Sequence, residues 1–175
     1  DVLDFDLSTC GQRILEKGAE VELKMTAKVE GEVAWEGTTT FYYRGRFGTP
    51  ESPAGNSQPP EIKPEKTIEW EMPSGGGAAY GDLSGDYNGI HLWTWYAKLF
   101  GFRNAFLHPH RPVGEVLAHI QNQMGAGPRK LSLWFRGPVP YGAAVQLNVA
   151  EQESRTVFGL HLKGDSRPCI VGLID

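Results

Sequence analysis

A chain of 175 residues is long enough for one ordinary domain or two small ones and can bury a sizeable core. Hydrophobic residues at 40% and charged residues at 22% exclude a chain disordered by composition, and a formal net charge of −4 argues against a dedicated nucleic-acid binder. Two cysteines, Cys10 and Cys169, exclude a disulfide scaffold and any zinc site built from cysteine alone, and read as free, buried thiols of a reducing compartment.

Glycine (22) and proline (12) are frequent, which suits strands and turns better than a helix bundle. No run approaches the roughly 18 apolar residues of a membrane span, and no signal peptide opens the chain, so the expectation is a cytoplasmic protein without a membrane partner. The first residue is Asp1, not Met, as in a trimmed or excised segment.

Residues 1–48 read as strands. Val21, Leu23 and Met25 alternate with Glu22, Lys24 and Thr26, the period of a half-buried strand. Glu30-Gly31-Glu32 is a turn signal, and Val33 to Tyr43 is rich in threonine and aromatics, as strands are. Residues 49–66, with Thr49-Pro50-Glu51-Ser52-Pro53 and Gln58-Pro59-Pro60, have little to bury and read as an exposed linker. Thr67 to Met72 alternate again as one strand, ended by Pro73 and the glycines at 75–77.

The run His91 to Phe102 is apolar nearly all round and predicts a short buried helix stopped by Gly101. A second helix follows Pro109, since Val113, Val116, Leu117, Ile120 and Met124 recur at helical spacing before Gly125 and Gly127. Strands are expected at 131–136, 144–151, 156–163 and 169–174. At an offset of 124, Leu7, Ser8, Gly18, Ala19, Val21 and Leu23 recur as Leu131, Ser132, Gly142, Ala143, Val145 and Leu147. If that repeat is structural, the helical half of a first unit belongs upstream of Asp1.

Chemistry concentrates between Tyr80 and His91. Asp86 and His91 are five apart, and Asn88-Gly89 between them forms turns, so the chain folds back and brings both side chains to one small volume. At a helix N-terminus His91 is expected to stay neutral because the dipole disfavours the imidazolium. A neutral imidazole beside a carboxylate can hold and activate a water or exchange a proton. Plainer roles also fit the same residues: a turn or cap for Ser84 and Asp86, and a satisfied core histidine for His91. A calcium loop does not fit, because Ser84 and Trp95 stand where Asp and Glu are required. His108 and His110 could join Asp86 and His91 around a metal. Without a second spaced pair, neither a metal nor a cofactor is expected. No phosphate loop, dinucleotide fingerprint or Gly-x-Ser-x-Gly elbow is present.

The stretch Ser84-Gly85-Asp86-Tyr87-Asn88-Gly89-Ile90-His91, followed by Gly101-Phe102 and His108 before an apolar helix, resembles the MaoC-like dehydratases, the (R)-specific enoyl-CoA hydratase family. Their signature is S-G-D-x-N-P-I-H, then G-F, then H-G before the central helix. The resemblance covers about residues 67–175 and implies an α+β hot-dog fold, one long helix wrapped by a curved antiparallel sheet, with residues 1–48 as the strand half of a first unit. It implies reversible hydration of 2-enoyl thioesters carried on coenzyme A or acyl carrier protein, with Asp86 and His91 as the catalytic pair and Asn88 orienting the loop. It also implies pairing, as a homodimer or with a second hot-dog unit.

Two positions depart from the signature. Gly89 replaces its proline, which loosens the loop. Pro109 replaces its glycine, whose N–H faces the thioester oxygen. Proline starts a helix well but has no N–H to offer. His108, Pro109 and His110 therefore form the expected oxyanion region, in which the N–H or the ring of His110 would substitute. Arg103 and Arg111 are candidates for coenzyme A phosphates, with Arg129 and Lys130 as further cations near the helix ends. The missing donor also leaves an alternative, a weak or inactive hot-dog module that binds acyl thioesters or a partner chain.

Overall fold

The computed structural model describes residues 2–51, 58–121, 129–152 and 155–175, and the chain divides into two units, Asp1–Gln58 and Pro59–Asp175. The first unit is an antiparallel meander of three strands, β1 (Leu3–Leu15), β2 (Gly18–Val29) and β3 (Glu32–Arg44), in the order β1-β2-β3. Its β2–β3 turn sits where the sequence signals it. Glu30 (φ 52°) and Gly31 (φ 85°) both lie in the left-handed region, the hand that matches the twist of a two-residue hairpin.

Cross-strand register gives this sheet two unlike faces. Phe5 faces Ala27, which faces Trp35, and Leu7 faces Met25, so the apolar residues share one side. Phe5, Leu7 and Trp35 on that side are 68%, 66% and 51% exposed. Charges hold the opposite side. Lys28 Nζ meets Asp6 at 2.8 Å, Lys24 meets Glu36 at 3.3 Å, and Arg13 bridges Glu20 and Glu22.

The second unit is built on five antiparallel strands in the order β4-β6-β7-β8-β5: β4 (Lys66–Glu71), β5 (Leu131–Phe135), β6 (Ala144–Gln152), β7 (Arg155–Leu162) and β8 (Pro168–Ile174). Each lies within a residue or two of its predicted span, because the period-2 pattern reports one buried face directly. Helix α4 (His110–Ile120) packs Val113, Val116 and Ile120 against Val145, Leu147, Phe158, Leu160 and Ile170. This is the helix-on-curved-sheet arrangement expected of a hot-dog unit. Phe158 occupies the space above Gly172, where a Cβ would stand 2.0 Å from the ring. On the other face Ile62 fills the equivalent space over Gly159, and the Glu65 N–H donates to the Val149 carbonyl at 2.9 Å.

The helical segments differ most from expectation. A short α1 (Gly77–Ser84), closed by Gly85 in the left-handed conformation, forms where glycines signal a loop. Two glycines inside it hide it from propensity. The single buried helix expected at 91–102 is instead α2 (Gly89–Leu92) and α3 (Thr94–Leu99), parted at the extended residue Trp93. Only His91 and Ala97 of that run are buried, while Trp95, Leu99 and Phe100 are 63%, 73% and 59% exposed. Apolar character all round the run therefore does not mean burial here. Gly101 does end α3, at φ 81°. The expected extension of α4 through Met124 to Gly125 and Gly127 lies outside the described residues.

The repeat at offset 124 aligns β1 with β5 and β2 with β6, yet β1 pairs with β2 whereas β5 pairs with β8. The aligned strands thus hold different positions in their sheets. The meander β1-β2-β3 instead has the connectivity of β6-β7-β8.

Candidate active site

A chain of local hydrogen bonds shapes the loop between α1 and α2. The Ser84 hydroxyl donates to the Tyr80 carbonyl at 2.8 Å and accepts the Asp86 N–H at 3.3 Å. Asp86 Oδ1 accepts the Asn88 N–H at 3.0 Å, and Asn88 Oδ1 accepts the Ile90 N–H at 3.2 Å. Asn88 thereby caps α2, which short polar side chains do well. Gly89 begins that helix beneath the Tyr96 ring, where a Cβ would come within 2.8–3.0 Å of three ring atoms.

The loop delivers Asp86, exposed, next to His91 and His108, 4% and 1% exposed. One ligand-type atom from each of the three lies within 4.8 Å of the other two, a cluster whose donors suit a cation. The imidazoles stack, with centroids 4.2 Å apart. His91 Nδ1 lies 3.0 Å from the Phe106 carbonyl, to which it donates, leaving Nε2 with the lone pair when the ring is neutral. His108 Nε2 donates likewise to the Asp86 carbonyl at 2.9 Å, and its buried Nδ1 has no partner among the described residues.

Burial pushes the His91 pKa below its ordinary value near 6.5; the Phe106 carbonyl opposes this, His108 reinforces it and Asp86 opposes it. The direction is the one expected from the sequence but the cause is different. His91 sits in the last turn of a four-residue helix, so loss of water rather than a helix dipole keeps it neutral.

Pro109 stands at the N-terminus of α4 in helical conformation, and the Arg111 N–H turns back to the His108 carbonyl at 3.0 Å. The His110 N–H has no acceptor among the described residues, while the His110 ring packs edge-on to Phe135 at 5.3 Å. Arg111 Nη1 donates to the Gly75 carbonyl at 2.9 Å, at the rim of a cavity of about 470 Å³ that Gly75–Gly77, His91, Trp93 and Tyr141 line. Arg103 is exposed between Phe102 and Asn104, and Asn104 borders the same cavity. A second, apolar cavity of about 340 Å³ lies among Phe102, Phe106, Pro109, Phe135 and Ile170.

Sequence reasoning missed Phe106, Tyr141 and Tyr80. Tyr141 donates to the His91 carbonyl at 2.9 Å from 50 residues away, and Tyr80 lies against the His108 ring at 4.7 Å. No spacing pattern marks such long-range partners.

The chain is similar to known proteins in sequence and in fold. The chain is 32% identical over 138 residues to 3-hydroxyacyl-thioester dehydratase X of Mycobacterium tuberculosis, a match covering 77% of this chain and 48% of the relative. It is 28% identical over 131 residues to peroxisomal multifunctional enzyme type 2 of Drosophila melanogaster, covering 70% of this chain and 22% of that enzyme. The chain thus spans half or less of the length of these relatives. The crystal structure of HtdX from Mycobacterium tuberculosis superposes with a TM-score of 0.75 at 26% identity, over 98% of this chain and 68% of the other. The model of the MaoC-like domain matches residues 55–166, and the chain belongs to the MaoC-like domain family.

Proposed function

We propose that this chain catalyses hydration of 2-enoyl thioesters and the reverse dehydration of 3-hydroxyacyl thioesters, on coenzyme A or acyl carrier protein. The observation that carries the reading is the meeting of the Asp86 carboxylate with a buried His91 whose pKa is depressed, in one cluster. Asp86 and the bare Nε2 of His91 hold one water. Its oxygen bonds to C3 of the enoyl group as the C2–C3 π bond opens. The proton it loses passes to the Asp86–His91 pair, and a proton returns from the pair to C2, so that water is added overall. Dehydration runs the same steps backwards.

Negative charge gathers on the thioester oxygen in between, and a backbone donor is needed there. Pro109 cannot provide one. The uncommitted His110 N–H, one residue further into α4, takes that role in this proposal. Asn88 orients the loop, and Arg111 and Arg103 are the cations assigned to the phosphates of the carrier. The meander 1–48 is read as the strand half of a first hot-dog unit joined through 49–66, and a second copy or a second hot-dog unit as the partner. Cys10 and Cys169 are free thiols, which fits the reducing cytoplasm, but only Cys169 is buried as expected, while Cys10, on β1, is exposed. Among the described residues no helix is long and apolar enough to cross a membrane.

The test is loss of enoyl absorbance with a short 2-enoyl-CoA. Asp86→Asn and His91→Ala are each expected to lower kcat by about 10²–10⁴-fold, as removal of a general acid or base does, with unchanged thermal unfolding. Full turnover by either variant would remove the assignment. Pro109 favours one other reading, a module that binds the thioester without turning it over. Binding of the enoyl-CoA with no turnover by the unmodified protein would select it.

A further inference from the structure

We propose that His108 is a positioning residue that bolts the Asp86 loop to the start of α4. The inference deepens the hydration reading and rests on it only for its kinetic arm. Among the described residues, every other hydrogen bond made by residues 84–88 closes within five positions along the chain: Ser84 to Tyr80, Gly85 to Gly81, Asp86 to Ser84, Tyr87 to Asp82, Asn88 to Asp86, and the Ile90 and His91 amides to Asn88. Such bonds shape a loop but do not fix where it sits. The His108 Nε2–H to Asp86 carbonyl bond, 2.9 Å long, spans 22 residues and is the one that does.

His108 suits this work. It is 1% exposed, and its ring is clamped between Tyr80 at 4.7 Å and His91 at 4.2 Å, so the donor has little freedom to swing. The acceptor belongs to the backbone of Asp86 itself, so the bond holds the carboxylate's point of attachment and takes up neither of its oxygens, of which Oδ1 accepts the Asn88 N–H. The same ring forms a wall for His91. One side chain therefore registers both members of the pair. The site keeps this imidazole although its buried Nδ1 has no partner among the described residues, a cost that a ring held for its Nε2 donor would offset.

The experiment compares His108→Phe, which keeps a flat ring and loses the donor, with His108→Gln, whose side-chain amide reaches to about the Nε2 position. Amide hydrogen exchange is read at Asn88 and Ile90 in the whole chain, beside steady-state kinetics with a short 2-enoyl-CoA. In the Phe variant exchange at both amides is expected to quicken by about tenfold, the effect of one lost hydrogen bond, while the β6–β8 amides keep their protection. The same variant should lose about 10²-fold in kcat, as a displaced catalytic group does, with KM within about twofold. The Gln variant should regain most of both. Wild-type exchange rates in the Phe variant, or a Gln variant as fast as Phe, would overturn the proposal. If the unmodified protein turns over no thioester, the hydration reading fails, and exchange still decides the role of His108.

Discussion

At the level of single residues, His91 couples charge to folding. Its pKa in the folded protein is depressed, chiefly by burial, below the ordinary value near 6.5 that the unfolded chain retains. Between those two values the unfolded state binds more protons, so stability falls as the pH is lowered through that window and is flat above it. Urea melts at pH 7.5 and 5.5 should therefore differ more for the wild type than for His91→Gln; an equal difference would mean that His91 is not the titrating group. The pair Asp86 and His91 was legible because five residues of local turn bring them together. His108 was legible as a residue, through its place before the helix, but its bond to the Asp86 carbonyl was not. Nor were the Phe106 carbonyl and the Tyr141 hydroxyl, since nothing in local spacing encodes a partner 15 or 50 positions away.

Among the elements, strands were read well because alternation reports a buried face without reference to distant residues. Helices were read less well. Helix α4 shows its apolar stripe and was found, whereas α1 is short and glycine-rich and depends on Gly85 to close it. In the sheet that α4 covers, Phe158 interlocks with Gly172. Phe158→Ala should cost about 3–5 kcal/mol by leaving a cavity. Gly172→Ala should cost about 1–3 kcal/mol by overpacking, since the backbone on that side is held in the β8 ladders. Phe158→Leu is expected to offset part of the Gly172→Ala loss, and chemical denaturation of the two singles and the double would measure it. Additive losses would show that the ring and the missing Cβ do not share that space.

For the whole chain, the contrast between the two units is the useful observation. The second unit covers its sheet with α4. The first presents Phe5, Leu7 and Trp35 largely exposed on one side, with the charged residues on the other. An apolar face of this kind in water favours association. Sedimentation is expected to show species larger than one chain, with the proportion rising with concentration, and Phe5→Glu together with Trp35→Lys should shift the balance to single chains. A concentration-independent single chain in the unmodified protein would remove that expectation. The composition pointed to strands in residues 1–48 but said nothing of their connectivity. The repeat at offset 124 aligned strands by residue identity, while hydrogen bonding gives them different places in their two sheets.

The Tyr96 ring on Gly89 also constrains the order in which substitutions can be accepted. The family signature carries proline at this position, and any residue with a Cβ there meets the ring at 2.8–3.0 Å, including its Cγ, which cannot swing away as the far end of a long side chain can. A chain with Tyr96 therefore has no single step back to the proline. The aromatic must shrink first, and only then does the rigid imide become admissible. The two positions behave as a lock with a required sequence of turns: Gly89→Pro alone should lower the melting temperature, whereas in a Tyr96→Ala background the same change should be neutral or raise it.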